Sequence, residues 1–383
     1  MFNFTYHNPT KIVFGKGTIA ELARLVPAGA KVMMTYGGGS IKKNGTYEQV
    51  LDALRDRDLL EFGGIEPNPR YETLMKAVEL GRAQGVDFLL AVGGGSVLDG
   101  TKFVAAAIPF TAGDPWDILS KGARVDRAVP MGAVLTLPAT GSEMNPTGII
   151  SRDSTQEKLA FSSPHTYPAF SILDPETTYT LPPRQVANGI VDAYAHVLEQ
   201  YLTYPAGALL QDRQAEAILR TLIEIGPQTL REPTDYDARA TLVWCATQAL
   251  NGLIGCGVPQ DWATHMIGHE LTALYGIDHA QSLAVVYPAL LRHGRQAKRA
   301  KLLQYAERVW DAREGDEEAR IDAAISRTDE FFRSLGVPTT LKEYGVAPGA
   351  ARIVRRRIEQ RGVRFGEHQR IGPAEVETIL SMC

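Results

Sequence analysis

Cysteine is scarce in this chain of 383 residues, which contains only Cys245, Cys256 and Cys383. Three scattered thiols cannot build a disulfide framework or a thiolate zinc site, and such usage is typical of a reducing compartment. Long apolar runs are also missing, since none reaches the roughly 18 residues that a membrane-spanning helix requires. The first residues have no charged segment followed by an apolar one, so no secretory signal is predicted. We therefore expect a cytoplasmic protein with no membrane partner.

A strong charge of either sign is absent as well. The chain has 40 Lys and Arg residues against 44 Asp and Glu residues, and its formal net charge is -4. No extended positive field is available to attract nucleic acid. The one basic run, residues 352–364, alternates with apolar residues and is typical of the solvated face of an amphipathic helix. We expect no nucleic-acid partner.

Strand and helix signals alternate through the first half of the chain. Short apolar segments predict strands at 10–14, 31–36, 86–92 and 131–137, and helical patterns lie between them at 46–57, 71–84 and 97–107. This alternation indicates a parallel sheet covered on both faces. At roughly 150 residues per domain, two domains are expected. We assign residues 1–180 to an α/β dinucleotide-binding domain.

After Leu181-Pro182-Pro183 the strand signals disappear and helical periodicity continues to the end of the chain. We therefore assign residues 181–383 to an all-helical domain that carries the metal and substrate sites. The predicted helices cover residues 184–202, 209–225, 237–253, 261–274, 282–292, 297–310, 316–335 and 349–360.

Two Gly-Gly-Gly-Ser clusters, Gly37–Ser40 and Gly93–Ser96, each follow a predicted strand. Parallel sheets bind ligands beyond the carboxyl ends of their strands. The second cluster immediately precedes a helix, whose free N–H groups and dipole favour a phosphate. The alternative is a tight turn without a ligand. Leu98 stands where the usual G-x-G-x-x-G fingerprint would have its last glycine, so this motif is not the common one.

The first cluster bears on the choice between NAD and NADP. A preference for NAD is served by an acidic residue that meets the ribose 2′-hydroxyl, and none follows Gly37–Ser40. Lys42 and Lys43 come next instead, and they would tolerate or attract a 2′-phosphate. NADP is therefore the predicted nucleotide, although two lysines at an exposed helix start are commonly just solvated.

Acidic and histidine side chains at helical spacing suggest a metal site. Asp192 and His196 are four residues apart, as are His265 and His269, and His279 follows a predicted chain reversal at residues 275–278. Positions i and i+4 share one helix face. Such pairs also arise by chance, and a buried histidine is often only hydrogen-bonded in a core. Four of the eight histidines lie in this apolar region, however, which favours a divalent first-row metal.

Five motifs stand out along the chain, which are Gly64-Ile-Glu-Pro-Asn-Pro69, Gly93-Gly-Gly-Ser-Val-Leu-Asp-Gly-Thr-Lys102, Leu137-Pro-Ala-Thr-Gly-Ser-Glu143, Asp174-Pro175, and Asp192-x-x-x-His196 with His265-x-x-x-His269 and His279. With these motifs the chain as a whole resembles the iron-containing, or group III, alcohol dehydrogenases, and within them the NADPH-dependent aldehyde reductases and butanol dehydrogenases. Much of that family has His-Gly where this chain has His279-Ala280, but the NADP-using branch matches it here and at Gly38.

The resemblance implies roles for particular residues and a homodimer. His269 would be a residue outside the metal shell that faces the nicotinamide and the substrate. The implied metal ligands are Asp192, His196, His265 and His279. The implied contacts to NADP(H) are Gly38, Gly39, Ser40, Asn68, Gly94, Gly95, Ser96, Asp99, Thr136, Thr140, Asn145 and Lys158.

The expected reaction is reversible hydride transfer between NADP(H) and a small aldehyde or primary alcohol. Zinc or iron would serve equally, because the metal acts as a Lewis acid without changing its redox state. His269 would relay a proton or only pack against the nicotinamide. The alternatives on the same architecture are a dehydroquinate-synthase-like lyase and a glycerol-dehydrogenase-like polyol dehydrogenase. A nucleotide sensor without metal is a further alternative, which the intact ligand types disfavour.

Overall fold

The computed structural model describes residues 1–383, which form two compact units. The first, called here the sheet unit, comprises His7–Leu181 and Pro233–Thr247. The second, the helical unit, comprises Met1–Tyr6, Pro182–Glu232 and Gln248–Cys383.

The sheet unit is built around six parallel strands in the order β1-β8-β5-β4-β2-β3, and a separate antiparallel pair is formed by β6 and β7. The predicted fold class, a parallel sheet followed by a helical half, is confirmed. The strands are β1 (Lys11–Phe14), β2 (Lys31–Tyr36), β3 (Asp58–Phe62), β4 (Phe88–Gly94), β5 (Met131–Leu137), β6 (Thr147–Arg152), β7 (Glu157–Ser162) and β8 (Phe170–Leu173).

Helices cover both faces of the sheet and form most of the helical unit. In chain order they are α1 (Leu22–Leu25), α2 (Thr46–Ala53), α3 (Tyr71–Gln84), α4 (Gly95–Ala107), α5 (Asp117–Ser120), α6 (Pro183–Tyr201), α7 (Leu209–Arg231), α8 (Tyr236–Ala249), α9 (Ala263–Tyr275), α10 (His279–His293), α11 (Arg299–Arg308), α12 (Glu317–Ser334), α13 (Ala350–Arg361) and α14 (Pro373–Ser381). No helix combines the length and the hydropathy that a membrane-spanning segment requires.

Alternate residues of the central strands enter two separate cores. Met33 of β2 lies in the apolar cluster with residues of α3 and α4, whereas Val32 and Met34 lie in the cluster with α1 and α2. Successive side chains of a strand point to opposite faces of a sheet, so a strand buried on both faces is apolar throughout. This explains why β2, β4 and β5 were predicted from continuous apolar runs.

The chain changes direction across the sheet between β2 and β4, which are neighbours. From β2 it proceeds to β3 on one side, and from β4 it proceeds to β5 on the other. Such a switch point leaves a crevice at the carboxyl ends of the strands, where ligands bind in open α/β sheets. Gly37–Ser40 follows β2, and Gly93–Ser96 spans the end of β4 and the start of α4, so the two glycine clusters flank the crevice.

Four strands were not predicted. β3 is a partly exposed edge strand, and β8 has only four residues. The β6–β7 pair has a partly exposed face and contains Gly148 and Lys158, which weaken the usual strand signal. β3 and β8 depend on pairing with distant strands, whereas β6 and β7 pair with each other across a short turn.

Neither unit is continuous in sequence, because each includes a short segment from a distant part of the chain. Val243 of α8 packs in a cluster with Leu135 and Leu173, and Thr247 donates a hydrogen bond to Glu143. Residues 233–247 therefore belong to the sheet unit. At the other end, the Phe2 amide donates to the Gly257 carbonyl at 2.9 Å within the helical unit. The structure differs in these two segments from a linear division at residue 180.

Candidate metal centre and nucleotide site

Helix α6 of the helical unit carries a row of buried polar side chains. It begins at Pro183, whose fixed φ suits a first helical residue, and its other faces are filled by buried Ala, Val, Ile and Leu side chains. Asn188, Asp192, His196 and Glu199 recur every three or four residues, so they share one face. A buried polar group is costly unless it has a partner. The partners of this row therefore define the site.

Three helices meet at Asp192. One ligand atom each from Asp192, His265 of α9 and His279 of α10 lies within 4.8 Å of the other two. The Nε2 atom of His279 is 3.6 Å from Oδ1 of Asp192, and the ring centroids of His265 and His279 are 5.4 Å apart. Residues widely separated in sequence thus converge on one point.

The other two predicted residues flank this group without being members of it. The Nδ1 atom of His196 is 3.8 Å from Oδ1 of Asp192, and its ring stacks on His265 with centroids 4.7 Å apart. The ring centroid of His269 is 5.3 Å from that of His279. The structure therefore brings all five residues into one cluster, with His196 and His269 at its edge.

The donor set fits a divalent metal ion. Nδ1 of His196 is buried and has no hydrogen-bond partner. Burial lowers the pKa of His196 to about 4, which keeps its imidazole neutral and its lone pair available near neutral pH. Neutral imidazoles with one carboxylate are ligands that suit zinc and ferrous iron. Only the His279 side chain, at 18% exposure, is open to solvent to a noticeable extent.

The start of α10 is fixed by contacts with α6. Asp278 directly precedes His279, and its carboxylate accepts a hydrogen bond from Asn188 at 3.1 Å and pairs with Arg184 at 3.1 Å. The helix begins at His279, three residues before the predicted start at 282, so the prediction was wrong there. Because Asp278 and Gln281 are polar, the first turn of α10 shows no apolar periodicity, and the sequence has no signal for a helix there.

Glu199 is a part of the cluster that we did not predict from the sequence. Its Oε1 atom accepts a hydrogen bond from the His265 backbone N–H at 3.1 Å and lies 3.1 Å from Nδ1 of His265. The side chain is fully buried, and without a metal ion nearby burial raises its pKa to about 8, a rise that a bound divalent cation would oppose. The sequence did offer one signal for this residue, because Glu199 lies seven residues after Asp192 and therefore on the same face of an apolar helix.

The glycines at the start of α4 are required by close packing. A Cβ atom on Gly95 would lie 2.5 Å from the Thr140 side chain, and one on Gly94 would lie 2.9 Å from Leu137. No side chain caps the start of this 13-residue helix. Its first N–H groups are therefore suited to an anion such as a pyrophosphate.

Three residues predicted to contact the nucleotide come together beside this turn. Lys158 donates a hydrogen bond to Oδ1 of Asn68 at 2.8 Å, and the Asn68 backbone N–H donates to the Ser96 hydroxyl at 3.2 Å. Asn68 has a left-handed backbone with φ 55°. Asparagine tolerates this conformation better than most residues do.

Asp99 and Asn145 hold the turn that follows β5. Asp99 accepts hydrogen bonds from the Ser142 hydroxyl at 2.6 Å and the Ile149 amide at 3.1 Å. Asn145 donates to the Gly141 carbonyl at 2.8 Å, and Thr140 accepts from the Ser142 amide at 3.2 Å. Thr136, near the end of β5, is also buried. These predicted contact residues therefore shape the loop itself.

Lys102 is a buried cation behind this loop, and we gave it no role from the sequence. Its ammonium donates to the Ser142 hydroxyl at 2.7 Å, to Oδ1 of Asn145 at 3.2 Å and to the Thr147 carbonyl at 2.8 Å. The side chain is completely buried, and burial lowers its pKa to about 8. It connects α4 with the 142–147 segment.

At the other glycine cluster, Gly38, Gly39 and Ser40 form the turn after β2, with Gly39 at φ 90°. The Lys42 ammonium lies 4.9 Å from the ring centroid of Tyr36 and 4.5 Å from that of Tyr47. It is also 3.5 Å from the Glu61 carboxylate, which accepts hydrogen bonds from both tyrosines. These contacts hold a positive charge beside the turn.

Two family models match nearly the whole chain. The model for iron-containing alcohol dehydrogenase matches residues 9–175, and the model for the C-terminal part of the Fe-containing alcohol dehydrogenase family matches residues 186–382. The chain belongs to the iron-containing alcohol dehydrogenase family, and it is an oxidoreductase. The resemblance described above is confirmed at this level.

The chain is similar to two curated proteins over almost its full length. It is 60% identical to the NADPH-dependent aldehyde reductase YqhD of Escherichia coli K12, over 97% of this chain and 97% of that protein. It is 42% identical to a probable NADH-dependent butanol dehydrogenase 1 of Bacillus subtilis, over 99% of each. A crystal structure of E. coli K-12 YqhD superposes with a TM-score of 0.98 at 58% identity, covering 100% of this chain and 98% of that one.

Proposed function

We propose that this protein is an NADPH-dependent aldehyde reductase that interconverts small aldehydes and primary alcohols. The observation that carries the proposal is the convergence of Asp192, His265 and His279 within 4.8 Å in a member of this family. The 60% identity to an NADPH-dependent aldehyde reductase supports the choice of nucleotide and substrate. In the reductive direction NADPH gives a hydride to the carbonyl carbon, and the oxygen takes a proton.

Asp192, His196, His265 and His279 would hold the metal, with either zinc or iron compatible with this donor set. A divalent ion supplies Lewis acidity toward a carbonyl oxygen, an effect worth several kcal/mol. The protein contributes the orientation of the ligands, since α6 holds the starts of α9 and α10. His269, whose ring is 5.3 Å from that of His279, is the proposed proton relay to the nascent alcohol.

NADP(H) would bind at the switch point of the sheet unit. The pyrophosphate would lie at the start of α4, on the backbone of Gly94, Gly95 and Ser96. The remaining proposed contacts are Gly38, Gly39, Ser40, Asn68, Asp99, Thr136, Thr140, Asn145 and Lys158. They belong to the loops that the hydrogen bonds described above hold in place.

The proposal is tested by adding butanal or hexanal to the purified, metal-loaded protein with NADPH and following the absorbance of NADPH. We expect continuous oxidation of NADPH in proportion to the aldehyde added. A lyase of the dehydroquinate-synthase type uses its nicotinamide transiently, so the absence of net oxidation would contradict the proposal. Faster turnover of glycerol than of butanol with NADP would favour a polyol dehydrogenase instead.

Lys42 is expected to contribute to the preference for NADPH over NADH. Its ammonium is held beside the Gly38–Ser40 turn by Tyr36, Tyr47 and Glu61. An exposed charge pair contributes up to about 1 kcal/mol, so we expect Lys42→Ala to raise the KM for NADPH about fivefold. The KM for NADH should not change, because NADH has no 2′-phosphate.

The matched control for this change is Lys31→Ala. Lys31 lies at the opposite end of β2 and pairs with Asp58 at 3.7 Å. Steady-state kinetics with both nucleotides would compare the two variants. An equal rise in KM for NADPH and NADH in Lys42→Ala would show that the lysine does not recognise the 2′-phosphate.

The proposed assembly is a cytoplasmic homodimer. Strand β1 pairs only with β8 and forms one edge of the sheet, where Phe14 and Trp244 are both exposed and their ring centroids lie 6.0 Å apart. An open strand edge with exposed aromatic side chains favours pairing with a second chain. The three cysteines are all unpaired, which suits a reducing compartment. Light scattering would measure the mass in solution.

A further inference from the structure

We infer that Glu199 is a positioning residue that fixes His265 for metal binding, an inference that depends on the proposed metal site. Glu199 is on α6, the helix that also carries Asp192 and His196. It is fully buried, and its hydrogen bonds reach the first turn of α9. One helix would therefore supply two ligands and also orient a third ligand on its neighbour.

The Glu199 carboxylate acts on α9 through the backbone. Its Oε1 atom accepts a hydrogen bond from the backbone N–H of His265 at 3.1 Å. The backbone N–H of Ala263, the first residue of α9, donates a hydrogen bond to Oδ1 of Asp261 at 3.0 Å. These N–H groups at a helix start have no partner within the helix, and a carboxylate there also interacts favourably with the helix dipole. Glu199 thus fixes where α9 begins relative to α6.

The same carboxylate acts on the His265 ring. Oε1 of Glu199 is 3.1 Å from Nδ1 of His265, so an Nδ1–H can donate to it. With the proton on Nδ1, the lone pair of the ring is on Nε2. A carboxylate that accepts from the second nitrogen of a metal-binding histidine fixes its tautomer and orientation and raises its basicity.

The immediate surroundings of Glu199 favour this role over that of an ordinary buried ion pair. Lys298, the buried cation of this region, donates to Asp261 at 2.7 Å and contacts Glu367 at 3.5 Å. Glu199 instead contacts His265, through its backbone N–H and through Nδ1 of its ring. A buried carboxylate is costly to retain. The orientation of a metal-binding imidazole accounts for its presence.

The experiment measures metal affinity directly. Glu199→Gln and Glu199→Ala proteins are stripped of metal, and the apparent Kd for Zn²⁺ is measured by competition with a chromophoric chelator. Loss of such a partner typically weakens metal binding about 10- to 100-fold. We expect a loss of about tenfold for Glu199→Gln, whose amide oxygen still accepts an N–H but carries no charge, and of about 100-fold for Glu199→Ala.

Two further measurements separate positioning from general stability. The Co²⁺-loaded Glu199→Gln protein should have an altered ligand-field absorption spectrum, which a purely structural role would not change. The thermal unfolding midpoint of the metal-free Glu199→Gln protein should stay close to that of the parent, since the N–H groups of α9 keep an acceptor. If Glu199→Ala does not fold, the Glu199→Gln result decides.

Glu216→Gln is the matched control. Glu216 is a buried glutamate of α7 in the same unit, and it accepts from Tyr201 at 3.0 Å and Arg308 at 3.1 Å. We expect this variant to bind Zn²⁺ like the parent. Parental affinity in both Glu199 variants, or an equal loss in Glu216→Gln, would overturn the inference alone. A parent that binds no divalent metal would overturn the proposed function together with it.

Discussion

The His265→Ala protein is expected to be purified with almost no bound metal and to lose about 10³-fold in NADPH-dependent reduction of butanal. His265 contributes one of the three groups that lie within 4.8 Å of one another, and its ring also stacks on His196. Its removal would take away one proposed ligand and the ring contact with another, His196. Mass spectrometry of the metal content and steady-state kinetics would measure the two effects together.

His293→Ala is the control for this experiment. His293 is at the C-terminal end of α10, the helix that begins with His279, and it lies outside the cluster. This variant should retain parental metal content and turnover. If His265→Ala keeps both its metal and its activity, His265 is not a required ligand and the proposed metal site is wrong.

The Lys102→Met protein is expected to lose about 3 to 5 kcal/mol of its free energy of unfolding, as is typical when one partner of a buried charge network is removed. Lys102 makes three hydrogen bonds in a fully buried position. Asp99 and Glu143 are buried close by, and burial raises the pKa of both carboxyls while Lys102 opposes that rise. Methionine would fill a similar volume but leave Glu143 without a cation and Asp99 with only the more distant charge of Lys158. Urea denaturation followed by circular dichroism measures the change.

Lys76→Met is the comparison for Lys102→Met. Lys76 is exposed on α3 of the same unit, so its replacement should change the free energy of unfolding by less than about 0.5 kcal/mol. Equal stability of the two variants would mean that the carboxyls near α4 do not require a cation. It would also mean that the 142–147 loop is held by other contacts.

The elements with regular apolar periodicity were predictable from the sequence. Helix α3 spans residues 71–84 as predicted, because its apolar residues recur at helical spacing and Gly85 ends it with a left-handed backbone of φ 66°. Strands β2 and β5 also have their predicted bounds. By contrast, β8 is defined by its pairing with β1 and β5, and no local pattern of four residues encodes those partners.

The clustering of the proposed metal ligands was predictable for a related reason. The pairs Asp192 and His196, and His265 and His269, each lie within one helix, so spacing alone places each pair on one face. Glu199 acts on His265, which is 66 residues away, and Lys102 acts on Ser142, which is 40 residues away. Their roles depend on tertiary contacts. A buried polar residue in an apolar helix was the only local signal for either.

The assignment of residues 233–247 to the sheet unit affects any attempt to dissect the molecule. A fragment that stops at Leu181 would carry every strand but leave Leu135 and Leu173 without Val243, their apolar neighbour from α8. Glu143 would likewise lose the hydroxyl of Thr247. A chimaera that combines halves of two relatives should therefore take these fifteen residues from the same parent as the sheet unit. A single crossover near residue 181 would divide a compact unit between the two parents.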